Sequence, residues 1–150
     1  MADTPQLTIS MLTPTRAAFV LRWLLVINGA LTLLALPAVF MPTAWMDHFH
    51  RHLGLGPLPE GPIVQYLARS VSALYAAFGS LTLVLAWDVV RYGPIITWWG
   101  ITAMVFGALL LWVDLNAPMP PQWMWGEVVY LVLTGMVVLL LQSRMGKRPA

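Results

Sequence analysis

The chain contains no cysteine. Thiol nucleophiles, disulfide exchange, iron–sulfur ligation and thiolate zinc sites are therefore excluded. So are the four-helix quinone-linked disulfide oxidoreductases. Charge is almost as scarce. Only 9% of the 150 residues are Asp, Glu, Lys or Arg, whereas a soluble domain carries roughly 25%. The three histidines, His48, His50 and His52, crowd into one short stretch. None falls in an apolar run, which excludes a bis-histidine haem inside a membrane. The net charge is +2, and the basic residues do not interleave with aromatics. That pattern argues against nucleic acid as a partner. No motif calls for a cofactor.

What the chain has is apolar surface, with 59% hydrophobic residues. A soluble fold of this length could not hide so much, but a bilayer can. A spanning helix needs about 20 mostly apolar residues. Four stretches qualify: 17–40, 63–87, 94–113 and 123–141. Pro42 and the Gly54–Gly61 loop close the first. Asp88, Arg91, Tyr92 and Gly93 separate the second from the third, and Asn116–Pro121, with three prolines, separates the third from the fourth. A backbone in lipid must satisfy its own hydrogen bonds, so the spans are expected to be helices. The expected fold is all-α, a single membrane domain built as a four-transmembrane-helix bundle. A cleaved signal peptide would leave three spans. The first apolar run is too long for one, and no small-x-small site follows it cleanly.

Lys and Arg set the orientation. Arg16, Arg22, Arg91, Arg144, Lys147 and Arg148 fall on one side of a four-span arrangement, and only Arg51 lies in a loop on the other. The positive-inside rule then puts both termini of a multi-pass membrane protein in the cytoplasm. Trp23, Trp87, Trp98 and Trp99 are expected at the inner interface, and Trp45, Trp112, Trp123 and Trp125 at the outer one, as an aromatic belt with no ligand-stacking role.

Residues 42–53 read as a short helix closed by Gly54. Its Trp45, Met46, Phe49 and Leu53 share one face, while Asp47, His50 and Arg51 share the other. This suits an amphipathic helix lying flat on the outer surface. His48 and His52 are spaced i, i+4 and could share a metal ion. No third ligand is in sequence reach except Asp47, which points away, so plain interfacial imidazoles are the alternative.

A charge within a span costs about 2.5–3.5 kcal/mol at the bilayer centre and marks a functional-site hypothesis. Arg69 is such a charge, two turns into the second span. Ser72, Ala73, Ala76 and Ser80 lie on its face, and small residues let helices approach closely. The matching stripes are Asn28, Thr32 and Ala35 in the first span, Gly100, Ala103, Gly107 and Asp114 in the third, and Glu127, Tyr130 and Thr134 in the fourth. Topology places Arg69, Asp114 and Glu127 in the same outer third of the membrane, with Asn28 deeper. Arg69 is therefore expected to pair with Glu127, with Asp114 as the alternative or second partner.

Two stretches, LGLGPLPEGPIVQYLARSVSALY from Leu53 to Tyr75 and DLNAPMPPQWMWGE from Asp114 to Glu127, carry a resemblance. Together they resemble a group of small bacterial four-helix integral membrane proteins similar in layout to the DoxX-like proteins. The group has no assigned activity, so the resemblance implies the fold and no function. The membrane enzymes of eicosanoid and glutathione metabolism carry an Arg-rich second helix with His, Asn and Glu, which Tyr66–Tyr75 lacks. Small multidrug transporters place a glutamate in the first helix, where this chain has Asn28.

The leading expectation is a non-enzymatic accessory or structural bundle, partnered by the bilayer and by another membrane protein or a second copy. The runner-up is a small transporter or ligand-binding protein using the polar cluster of Arg69, Glu127, Asp114, Tyr130 and Asn28. An enzyme ranks third, because the hydroxyls have no intramembrane histidine to activate them. The orientation is directly testable, since any introduced cysteine is unique. Glu60→Cys should react with a membrane-impermeant maleimide in intact cells, and Ser143→Cys only after permeabilisation. The opposite labelling pattern would overturn the topology.

Overall fold

The computed structural model describes residues 14–117 and 119–145. Lys147 and Arg148, counted above for the charge bias, lie outside them. The described chain is all-helical: α1 (Pro14–Leu33), α2 (Leu36–Phe40), α3 (Thr43–His52), α4 (Pro62–Trp87), α5 (Gly93–Asn116) and α6 (Pro121–Arg144). Four stretches are long and apolar enough to cross a membrane: Thr15–Phe40, Pro62–Trp87, Gly93–Asn116 and Pro121–Arg144. Each agrees with an expected span to within a few residues. Their apolar side chains mostly point outward, Phe40, Leu74, Leu34 and Leu115 among them. A bilayer solvates that surface where water would not.

Proline sets the starts. Pro62, Pro94 and Pro121 stand in the first turns of α4, α5 and α6. There the missing N–H costs nothing and the fixed φ suits a helix. Proline also interrupts the first span. Pro37 cannot bond to the carbonyl of Leu33, and its ring crowds that carbonyl. The chain relaxes into a turn at Leu34 and Ala35, where the Ala35 N–H reaches only three residues back, to Thr32, at 3.2 Å. The first span is thus a long helix and a short one, α1 and α2, not one continuous rod.

The amphipathic helix α3 ends as its sequence requires. Leu53 is the C-cap, and Gly54 follows with φ +79°, a conformation that glycine adopts without a Cβ penalty. The Leu55 N–H bonds to His50 O and the Gly54 N–H to Arg51 O, the paired bonds of a Schellman closure. Trp45, Phe49 and Leu53 are exposed along one side of α3. The other side holds the loop. Asp47 accepts from the Leu58 N–H and from Arg51 Nε, both at 2.8 Å. Bonding to Arg51 first, and to the Leu58 amide second, holds its carboxyl below the usual aspartate range. His50 Nδ1 lies 2.8 Å from the Gly56 carbonyl. A carbonyl can only accept, so this nitrogen carries the proton.

The bundle consists of two tightly packed pairs, α1 with α4 and α5 with α6, joined along α1 and α6. Glycine makes each pair tight. A Cβ on Gly79 would lie 2.6 Å from the Leu33 N and 2.8 Å from the Gly29 O. One on Gly135 would lie 2.6 Å from the Gly100 O. At both crossings backbone meets backbone, as small residues permit in membrane bundles. The buried core lies towards the α4–α5 turn, where Leu21, Leu25, Leu85, Ala86, Ile96, Trp99, Val138 and Leu141 come together.

Gly79→Leu should therefore destabilise the protein by at least about 1–3 kcal/mol through overpacking against fixed backbone. Gly126 has nothing within 4 Å of its Cβ position. Gly126→Ala should be neutral or stabilising by up to about 1 kcal/mol. Denaturation in mixed micelles checks both. Equal effects at the two positions would contradict the crossing geometry.

Candidate functional site

Because the helices pack in pairs, α4 and α5 do not pack along their lengths. They are bridged towards the α4–α5 turn by Phe78 and Trp99, whose rings stack with centroids 6.1 Å apart and planes 14° from parallel. On the α3 side of this stack the helices stand apart. Between them lies a crevice of about 620 Å³, lined from α1, α4, α5 and α6. Small-molecule sites measure about 300–1,000 Å³. Val71, Leu74 and Phe78 supply one apolar wall, and Trp99, Ala103, Phe106 and Leu131 the other. Leu74 and Phe106 are also among the exposed apolar residues. The crevice therefore opens sideways onto the surface that lipid would cover.

Polar groups interrupt this apolar space, most of them on the α1 and α6 side. Asn28, Thr32, Tyr130, Thr134 and Glu127 reach it from α1 and α6, and Tyr75 and Thr102 from α4 and α5. Asn28 is buried, and its side-chain amide donates to the Tyr130 hydroxyl 102 residues away. This bond joins α1 to α6 in the part of the bundle where the pairs diverge. Thr32 donates to the Asn28 carbonyl at 2.8 Å, so its hydroxyl is satisfied within α1. A second space of about 360 Å³ lies beyond Tyr75, Tyr130 and Thr32, against Leu31 and Ala35. The two tyrosines form the partition between the spaces.

The five residues of the expected polar cluster separate into three groups. Asn28 and Tyr130 meet directly. Glu127 lines the same crevice, beside Trp123 and within electrostatic reach of Asp114 and Tyr75. Asp114 is buried on α5, and its Oδ2 has no hydrogen-bond partner among the described residues. Arg69 belongs to none of these. It forms no ion pair with Glu127 or Asp114 among the described residues, contrary to the sequence expectation. Its Nη2 donates instead to the Met41 carbonyl at 3.3 Å, while its Nε is buried without a partner.

The reason is the pairing. The Arg69 face of α4 does turn towards a neighbouring helix, but that neighbour is the α1–α2 unit. Met41 is the C-cap of α2, next to Pro42, which has no N–H to offer. A guanidinium at the end of a helix satisfies a terminal carbonyl and complements the dipole. The buried stripe of α4 also differs from expectation. Ala76 is buried and Ser72 half-buried, but Ala73 and Ser80 are exposed, and the stripe continues through Gly79, Thr82, Leu85 and Ala86. The stripe of α5 agrees, with Gly100, Ala103, Gly107 and Asp114 all buried.

Trp99 corrects the aromatic-belt expectation. Trp23, Trp45, Trp87, Trp98, Trp112, Trp123 and Trp125 are exposed, but Trp99 is 6% exposed and lies against the crevice. Its indole N–H has no partner among the described residues. Its spacing from Ala103 and Phe106, i+4 and i+7, was the available signal of a shared inward face. At α3, His48 and His52 are both exposed. No group of three His, Cys, Asp or Glu side chains that could hold a metal occurs among the described residues.

No protein-family model, curated protein or solved structure matches this chain.

Proposed function

We propose that this protein is a non-enzymatic, membrane-embedded binding protein that takes a single-chain amphiphile from the bilayer into the crevice between α4 and α5. The observation that carries this reading is the crevice itself, apolar on its walls, open sideways and lined on one strip by Asn28, Tyr130 and Glu127. A hydrocarbon tail suits walls of Leu74, Phe78 and Phe106. The polar strip gives a head group hydrogen-bonding partners that lipid cannot.

A purely structural bundle, the leading expectation from the sequence, would be favoured by a dry, paired Arg69. Arg69 is held at the end of α2 and takes a structural place there, so it is the crevice of about 620 Å³ that supports binding over that reading. We also place both termini in the cytoplasm, on the strength of the Lys and Arg bias, and the protein in a bacterial inner membrane, as the resemblance implies. The crevice then opens towards the outer leaflet.

A dodecyl probe carrying a terminal diazirine, photolysed in lipid nanodiscs, tests the reading. Cross-links are expected at crevice residues of α4 and α5, Leu74 and Phe106 foremost. Thr102 lines the crevice and is exposed. Thr102→Trp should fill the space and reduce the labelling at least about tenfold while the protein remains folded by circular dichroism. Labelling spread evenly over all lipid-facing helices, unchanged by Thr102→Trp, would refute it.

A further inference from the structure

The crevice has charge of one sign only. Glu127 is the ionisable acid on its lining, and Asp114 lies within electrostatic reach of it. Asp114 is 9% exposed, with Oδ2 unpartnered. No basic side chain lines the crevice. Arg69, the basic side chain of the same span region, is turned to the Met41 carbonyl on the far side of α4. Two acids within electrostatic reach in a low-dielectric space repel as anions, a repulsion relieved by a proton or by a bound cation, and the crevice lining supplies no cation of its own.

The rest of the lining suits the missing partner. Tyr75, Phe78, Trp99, Phe106 and Tyr130 all border the crevice. Aromatic faces attract cations through the ring quadrupole, most strongly where water is excluded. An aromatic enclosure with one carboxylate at its edge is the chemistry that recognises an ammonium group. An anionic head group would meet Glu127 and Asp114 as like charges, with no basic group to offset them.

We infer that the ligand of the crevice is a cationic amphiphile, an alkyl amine or alkyl ammonium, with its charge held at Glu127 among the aromatic rings and its tail along α4 and α5. The inference rests on the amphiphile-binding reading and adds the sign of the head group. Asp114 reinforces the negative potential from behind Glu127 without lining the space. Asn28 holds the Tyr130 ring in place, so it acts as a positioning residue.

Competition against the photolabelled dodecyl probe tests it, with dodecylamine, dodecanol and dodecanoate as competitors of one chain length. Dodecylamine should displace the probe from wild-type protein at a concentration at least about tenfold lower than dodecanol, with dodecanoate weakest. Glu127→Gln should bring dodecylamine and dodecanol together, and Glu127→Asp should retain the preference for the amine. Equal potency of amine and alcohol on wild-type protein would overturn the inference even if Glu127→Gln fails to fold. So would a preference for dodecanoate. If the probe labels the crevice and Thr102→Trp abolishes that labelling, but head-group charge changes nothing, the cation inference falls and the amphiphile reading stands. If the crevice is never labelled, both fall.

Discussion

Two close contacts between backbones organise this molecule. Where Gly29 crosses Gly79, and where Gly135 crosses the backbone of Gly100, helices approach so nearly that a Cβ on Gly29, Gly79 or Gly135 would meet main-chain atoms at 2.6–2.9 Å. In lipid, association gains little from hiding apolar surface, because the tails are as apolar as leucine. Close van der Waals packing has to supply the attraction, and glycine permits it. The result is two tight pairs, where a symmetric bundle would have four equal contacts. The pairs share their core towards the α4–α5 turn and separate on the α3 side. The crevice is therefore a consequence of where the glycines stand. α4 and α5, joined by a short turn, are the one pair of consecutive spans that does not pack closely.

The same pairing decides the electrostatics. Arg69 and the two acids share a depth, which made an ion pair a reasonable expectation. They stand on opposite sides of the structure's division into pairs. Arg69 finds a carbonyl freed where α2 ends before Pro42. Glu127 and Asp114 are left to a space with no basic lining. A buried charge tolerates either solution, a backbone acceptor or a counter-ion, so depth alone does not identify its partner. What distinguishes a structural charge from a site is which element lies across from it. Arg69 lies across from a helix end, and Glu127 lies across from a crevice.

Much of the architecture was legible in the sequence, and for physical reasons. Runs of about 20 apolar residues have one stable backbone solution in lipid, so the four spans could be placed closely. Gly54 after an amphipathic stretch foretold the closure of α3. The small-residue stripe of α5, from Gly100 to Asp114, was read correctly because one helix wheel contains the whole answer. The break at Pro37 could have been read from the proline, but hydropathy averages over it. The partner of Arg69 was not legible at all. A wheel gives the direction in which a side chain points and is silent on which helix stands there. Trp99 was misplaced for a different reason. A tryptophan near a span end usually marks an interface, and that expectation overrode its i+4 spacing from Ala103 on the small-residue stripe of α5. Asn28 and Tyr130 were expected in one polar cluster with Arg69 and the two acids, but their direct bond to each other depends on the α1–α6 contact, which no single helix wheel contains.

The claim on which the account depends is that α4 and α5 stand apart in a membrane. Disulfide trapping in native vesicles measures this directly, with no cysteine in the parent chain to interfere. Gly107→Cys with Leu131→Cys is the reference pair, since a Cβ on Gly107 lies 3.2 Å from that of Leu131, near the spacing a disulfide needs. Val71→Cys with Phe106→Cys spans the crevice from wall to wall. The account predicts rapid oxidation of the first pair and none of the second, unless a long bifunctional reagent is supplied. Rapid direct oxidation of the Val71–Phe106 pair would mean that the helices close on each other and that there is no crevice to fill.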